Sequence, residues 1–228
     1  MESGVGLGLR TTLGSKKELA FDPTYRRELL ARTSEHWALI RSSKKKNVKL
    51  AVFVHGFNGN FLTTWGSLPK LLWQGADTDS ALETWDFLFL GYSTFDIESY
   101  LDISDRLCTE LRKCNAGLAP YSNTYDSVAL IGHSLGTLGI RQFLCATAIN
   151  EKALTACVKS VLLFGSPLVG CSVAKMAQFV YPIARALTPY NPQLRMLKVW
   201  NDGSFVHNPW PRAKLVIGQG DWVAEGHS

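Results

Sequence analysis

Unbroken apolar runs and runs with helical spacing take turns along this chain. Lys49-Leu-Ala-Val-Phe-Val54 is apolar at both alternating sets of positions, as expected of a central parallel strand covered on each face. Asp86–Tyr92, Val128–Ile131, Lys159–Phe164 and Ala213–Ile217 read in the same way. Between them the period changes. Thr64, Trp65, Leu68, Leu71, Leu72 and Trp73 suit a helix with Pro69 as a break or a first-turn residue. Ile97, Tyr100, Leu101, Ile103, Leu107 and Leu111 suit another, as do Leu138 to Ala148. Two more are expected around 172–187 and 191–201, punctuated by Pro182 and Pro189. Near the start, Trp37–Ile40 reads as an early strand, and Tyr25, Leu29 and Leu30 after Asp22-Pro23 suit a short amphipathic helix.

Strands alternating with helices, without internal repeats, predict an α/β fold with a mostly parallel central sheet flanked by helices. The expected division is an N-terminal arm with short elements over 1–47, then one domain over 48–228. A lid-like helical segment falls at about 168–211.

Composition narrows the picture. The 228 residues are 46% hydrophobic and 19% charged, which suits one well-buried domain. The net charge of +5 is mild, and Lys44-Lys45-Lys46 is the one basic cluster; without a basic helix or zinc-ligand spacing, no nucleic-acid partner is expected. Five cysteines at irregular spacing, with no C-x-x-C, indicate neither a disulfide framework nor a metal site. Cys145 and Cys157 sit in apolar periodic stretches and read as buried fillers. No secretory signal or membrane-length apolar run occurs, so a cytoplasmic setting is expected.

The chemistry centres on Gly132-His133-Ser134-Leu135-Gly136, directly after an apolar strand and before a helical pattern. This is G-x-S-x-G in the strand-turn-helix context that a nucleophile elbow requires. The turn is too tight for Cβ atoms two residues either side of the serine, and glycine removes them. The serine hydroxyl is then lifted above a helix N-terminus, whose free N–H groups favour a developing negative charge. A serine also needs a base, a carboxylate to hold the base, and oxyanion donors. The backbone N–H of Leu135 is one expected donor. That of Phe57, in the His55-Gly56-Phe57 loop after the first strong strand, is the other. His55 is expected to brace that loop rather than act as the base, and His133 to be structural. His55 and Asn58 of the loop, together with Trp65, are expected beside the substrate. Asp221, in a glycine-flanked turn after the last strand, is the carboxylate candidate, with Asp202 as a weaker rival. These stretches follow Val54, Ile131 and Ile217, at the carboxyl ends of strands, where sheets of this kind bind ligands.

Val52-Phe-Val-His-Gly-Phe57, Leu130-Ile-Gly-His-Ser-Leu-Gly136, Phe164-Gly-Ser-Pro167 and Val216-Ile-Gly-Gln-Gly-Asp-Trp-Val223 together resemble the α/β-hydrolase-fold serine esterases and lipases. The resemblance spans about 48–223 and is nearest to the GPI inositol-deacylase-like and related lipase-like branch. It implies ester hydrolysis through an acyl-enzyme without a cofactor. Ser134 would be the nucleophile, Asp221 the acid, and the Phe57 and Leu135 amides the oxyanion hole. The family's base follows one further strand, whereas His227 is the one histidine after Asp221 here. Two alternatives stay open: His227 is the base, or the last strand and the base are absent. His207 is a lesser candidate. In the first case the protein is a serine esterase acting on a small ester or lipid, with peripheral membrane contact conceivable and the oligomeric state undetermined. In the second it is a catalytically weak or inactive hydrolase-like domain that binds a lipid or protein partner.

Overall fold

A computed structural model describes residues 28–32, 37–42, 48–75, 81–121, 124–168, 170, 181–207 and 212–216. One seven-stranded sheet organises them: β1 (Glu28–Arg32), β2 (Trp37–Arg41), β3 (Lys49–Val54), β4 (Trp85–Leu90), β5 (Val128–His133), β6 (Val158–Phe164) and β7 (Arg212–Val216). Their spatial order is β1-β2-β4-β3-β5-β6-β7. From β4 to β7 every pairing is parallel, while β1 and β2 join as an antiparallel edge. The helices are α1 (Leu68–Gly75), α2 (Tyr100–Asn115), α3 (Leu135–Asn150), α4 (Lys152–Cys157) and α5 (Pro192–His207).

Side-chain alternation along the strands divides the core in two. Leu50, Val52 and Val54 of β3, with Leu88, Leu90, Leu130, Val161 and Leu163 beside them, pack in one cluster with α2, α3 and α4. Ala51 and Phe53 face the other way with Ala38, Ile40, Phe87 and Phe89, against Leu72 and Trp73 of α1. Phe53 stacks on Phe89 with ring centroids 4.7 Å apart. The first cluster has the larger core. Leu107 and Leu111 of α2 are fully buried there, and truncating either to alanine would cost about 2–5 kcal/mol. The start of α2 is set by a capping box: Ser99 accepts from the Leu101 N–H, and Asp102 reaches back to the Ser99 N–H.

Four expectations from periodicity are corrected. Leu29 and Leu30 lie in β1 rather than in a helix, because pairing with Ile40 and Leu39 of β2 offers an open sheet edge that outweighs local helical spacing. Glu28–Arg32 and Trp37–Arg41 therefore belong to the same sheet as the rest. The helix expected over 64–73 is divided into a short 3₁₀ turn at Thr63–Trp65 and α1, with Gly66 at φ 58° between them and Pro69 in the first turn of α1. The helix expected around 191–201 does not stop there; α5 runs on through Asn201-Asp202-Gly203 to His207. Pro182–Leu187 is a 3₁₀ segment, and residues 171–180 of the lid-like stretch lie outside the described residues.

Candidate active site

Ser134 alone makes the turn between β5 and α3. Its backbone lies at φ 49° and ψ −118°. A residue bearing a Cβ holds such a conformation at a cost of about 1–3 kcal/mol, so its surroundings must hold it there. The Ser134 N–H donates to the Phe164 carbonyl at the end of β6, 2.8 Å away. The Ser134 carbonyl accepts twice from Thr137: from its N–H at 3.0 Å and from its hydroxyl at 2.6 Å. The Thr137 hydroxyl in turn lies 2.8 Å from that of Ser166, and both side chains are buried. Gly136 lets α3 start hard against β3, since a Cβ there would lie 2.4 Å from the Val54 carbonyl oxygen and 2.5 Å from that of His55. Among the described residues, the Ser134 hydroxyl has no hydrogen-bond partner.

The loop after β3 lies against this turn. A Cβ on Gly56 would come within 2.8 Å of the Ser134 Cβ, so only glycine lets the loop approach so closely. His55 sits behind the loop, 1% exposed. Its Nε2 accepts the Tyr92 N–H at 3.1 Å, which leaves the ring proton on Nδ1, 2.8 Å from the Gly56 carbonyl. The ring stacks on Tyr92 at 4.2 Å, and the Tyr92 hydroxyl donates to the His55 carbonyl at 2.7 Å. Burial pushes the Tyr92 phenol well above its usual range, so it stays a donor. His55 is thus buried with both ring nitrogens engaged by backbone, an arrangement that suits a brace of the loop. Asn58 is exposed at φ 51°, a conformation that Asn tolerates better than most residues.

Two amides follow in sequence on Ser134 and on the loop glycine packed against it. Leu135 is the first residue of α3, so its N–H is one of the donors that a helix leaves without an internal acceptor. Phe57 follows Gly56 directly, and no backbone acceptor for its N–H occurs among the described residues. The Phe57 ring meets Tyr181 edge-on at 4.8 Å, and Tyr181 meets Phe95 at 4.8 Å. Phe95 is 60% exposed, which leaves an open aromatic surface beside the loop. On the α1 face, a cavity of about 500 Å³ is walled by Phe53, Thr64, Trp65, Leu68, Ile131, His133, Leu162 and Phe164. Trp65 thus lines apolar space, and exposed His133, next in sequence to Ser134, is among the walls.

Among the described residues, no cysteine competes as a nucleophile. Burial raises the thiols of Cys108, Cys114 and Cys157, and pushes Cys145 up to about 12 despite nearby Arg141, so all four stay protonated near neutrality. The filler reading of Cys157 holds, and Cys145 is half-buried. Among the described residues no His, Cys, Asp or Glu cluster suits a metal ion, and no helix is long and apolar enough to cross a membrane. Asp221 and His227 lie outside the described residues. Sequence reasoning gave Thr137, Ser166 and Tyr92 no hydrogen-bonding role. The one available signal was polarity: Thr137 interrupts the apolar positions of α3, and Ser166 stands in Gly165-Ser166-Pro167.

A family model described as "Putative serine esterase (DUF676)" matches residues 44–187, more than half of the chain. No curated protein matches. Among solved structures, phospholipase PlaB from Legionella pneumophila aligns at 17% identity and a TM-score of 0.57, covering 75% of this chain and 38% of its own. Bacillus licheniformis lipase BlEst2 in its mature form aligns at 16% and 0.53, covering 83% and 76%. The Staphylococcus aureus fluorophosphonate-binding serine hydrolase FphF aligns at 11% and 0.51, covering 79% and 71%. These likenesses show the α/β-hydrolase fold. The chain spans less than two-fifths of the length of the Legionella protein.

Proposed function

This chain belongs to the serine esterase family DUF676, and from that premise we propose that it hydrolyses carboxylic esters through a Ser134 acyl-enzyme. The observation that carries the reading is the turn at Ser134: a non-glycine residue at φ 49°, with its hydroxyl unpartnered among the described residues and a glycine loop packed on its Cβ. Strain of this kind persists where the surrounding structure maintains it, as at catalytic nucleophiles. In the proposed cycle the hydroxyl attacks the ester carbonyl. The Leu135 and Phe57 amides stabilise the oxyanion, the alcohol leaves, and water releases the acid. Asp221 and His227 are assigned as acid and base on sequence grounds. An apolar acyl group suits the Phe57, Tyr181 and Phe95 rings and the cavity beside Trp65, which supports a lipase-like substrate. Placement beside the GPI inositol-deacylase-like hydrolases rests on motif wording and belongs to this proposal, as do a role in lipid metabolism, a cytoplasmic location and contact with a membrane surface. The Legionella and Bacillus neighbours, a phospholipase and a lipase, support the ester-lipid class.

The test is fluorophosphonate labelling together with turnover of p-nitrophenyl esters. Labelling at Ser134, lost in Ser134→Ala, and hydrolysis above that variant's background are expected. A folded protein that neither labels nor turns over would favour the non-catalytic lipid- or partner-binding domain.

A further inference from the structure

We propose that Thr137 and Ser166 form a hydroxyl relay that orients and polarises the peptide unit carrying the Leu135 oxyanion donor. The inference rests on the reading of that amide as a donor to the oxyanion. The Ser134 carbonyl and the Leu135 N–H belong to one planar peptide group, so a hydrogen bond that fixes the first fixes the direction of the second. Two donors converge on that carbonyl oxygen, both from Thr137: its N–H at 3.0 Å and its hydroxyl at 2.6 Å. Threonine has one hydroxyl proton. With that proton on the Ser134 carbonyl, the contact at 2.8 Å to Ser166 is one in which the Ser166 O–H donates to Thr137 Oγ1. The chain therefore runs from Ser166 to Thr137 to the carbonyl, and each bond strengthens the next. Electron density drawn toward the carbonyl oxygen makes the N–H on the far side of the same peptide a stronger donor.

Burial makes the arrangement effective. Thr137 is 0% and Ser166 3% exposed, so water does not substitute for either hydroxyl. The relay also ties the strained residue to a single element. Ser134 N–H bonds to the Phe164 carbonyl, and its carbonyl is reached from Ser166, two residues further along the same segment. Thr137 and Ser166 need not touch the substrate. They act through the Leu135 amide and are positioning residues.

Three single variants, the Thr137→Val/Ser166→Ala double variant and three readouts test this. Thr137→Val keeps the shape and removes the hydroxyl, Thr137→Ser restores it, and Ser166→Ala breaks only the outer bond. The ¹H–¹⁵N shift of the Leu135 amide reads polarisation without any need for turnover. It should move upfield in Thr137→Val, by less in Ser166→Ala, and return in Thr137→Ser. With a short p-nitrophenyl ester, Thr137→Val should lower kcat and kcat/KM together by about tenfold. That is less than the hundredfold or more of losing an oxyanion donor outright, with KM little changed. Thr137→Ser should recover most of the loss, and the double variant should be no worse than Thr137→Val, because the two hydroxyls act in series. An unmoved Leu135 amide shift, a shift without a change in kcat, or a loss confined to melting temperature that serine does not rescue would overturn the relay. Absence of any Ser134-dependent turnover in the wild type would instead strike the hydrolase reading, and the amide shift would still decide the relay.

Discussion

At the end of the sheet where β4 and β5 begin, buried polar side chains bond to one another; at the end where they stop, they bond mostly to backbone. Asp86, fully buried at the start of β4, accepts from the Tyr125 hydroxyl at 2.5 Å and the Ser42 N–H at 2.6 Å. Nearby, Tyr121 donates to buried Glu110 at 2.8 Å, and Lys113 pairs with the same carboxylate. These groups close the bottom of the domain. At the opposite end His55, Tyr92 and Thr137 hold carbonyls and N–H groups of the two turns, while the Ser134 hydroxyl is left unpartnered among the described residues. The difference teaches how the two ends divide their work: one end satisfies its own side chains, and the other holds a strained backbone at Ser134.

The sharpest break of this comparison is at Ser134 itself. Ser134→Ala should lower esterase turnover by about 10⁴-fold or more, leaving only what the oxyanion donors supply. Ser134→Gly should be equally inactive yet more stable by about 1–3 kcal/mol, because glycine accepts φ 49° without strain. Urea unfolding of the pair against wild type measures this, and a Ser134→Gly protein no more stable than wild type would remove the strain.

Next in size is the response to alkali. Burial above all raises the phenols of Tyr92, Tyr121 and Tyr125 far above the ordinary value of 10.0, with Asp86 adding to the rise for Tyr125. A raised folded-state value means that the unfolded chain loses these protons first. Their contribution is whole below about pH 10 and falls as pH rises beyond it, by about 4 kcal/mol per pH unit for three phenols. Denaturant midpoints at about pH 9 and about pH 11 check it, and Tyr125→Phe should reduce the slope by one proton.

Asp86→Ala should cost about 2–4 kcal/mol, since it strands the buried Tyr125 hydroxyl and removes the Asp86 carboxylate from the Ser42 N–H. Activity per folded molecule should stay at the wild-type value, because the lesion lies at the far end of β4. A fall in kcat of the folded fraction would show that the two ends are coupled. Smallest is Tyr92→Phe, which removes the bond to the His55 carbonyl and keeps the stacked ring. About 1 kcal/mol of stability should be lost, together with a drop in kcat that Asp86→Ala lacks.

The residues most legible in the sequence were those whose role follows from local geometry. Val52–Val54 and Val128–Ile131 had to be buried strands because both alternating faces are apolar, and Ser134 had to be the turn because glycines flank it at the two colliding positions. Leu29 and Leu30 were misread because helical spacing over the six residues from Tyr25 to Leu30 is weak evidence against a sheet edge that only the folded chain provides. Thr137 and Ser166 were silent for a related reason: they stand 29 positions apart, and nothing in a linear pattern brings one hydroxyl to the other.

By itself the sequence determined the alternation of elements, the strained turn and the loop glycine that must face it, since each depends on steric limits within a few residues. Tertiary structure alone decided which hydroxyls and carbonyls meet, that His55 holds a loop through both ring nitrogens, and that the β1–β2 pair completes the sheet. Hydrogen bonds between distant residues depend on sub-ångström placement, and that placement comes from packing the whole sheet rather than from any one segment's preferences.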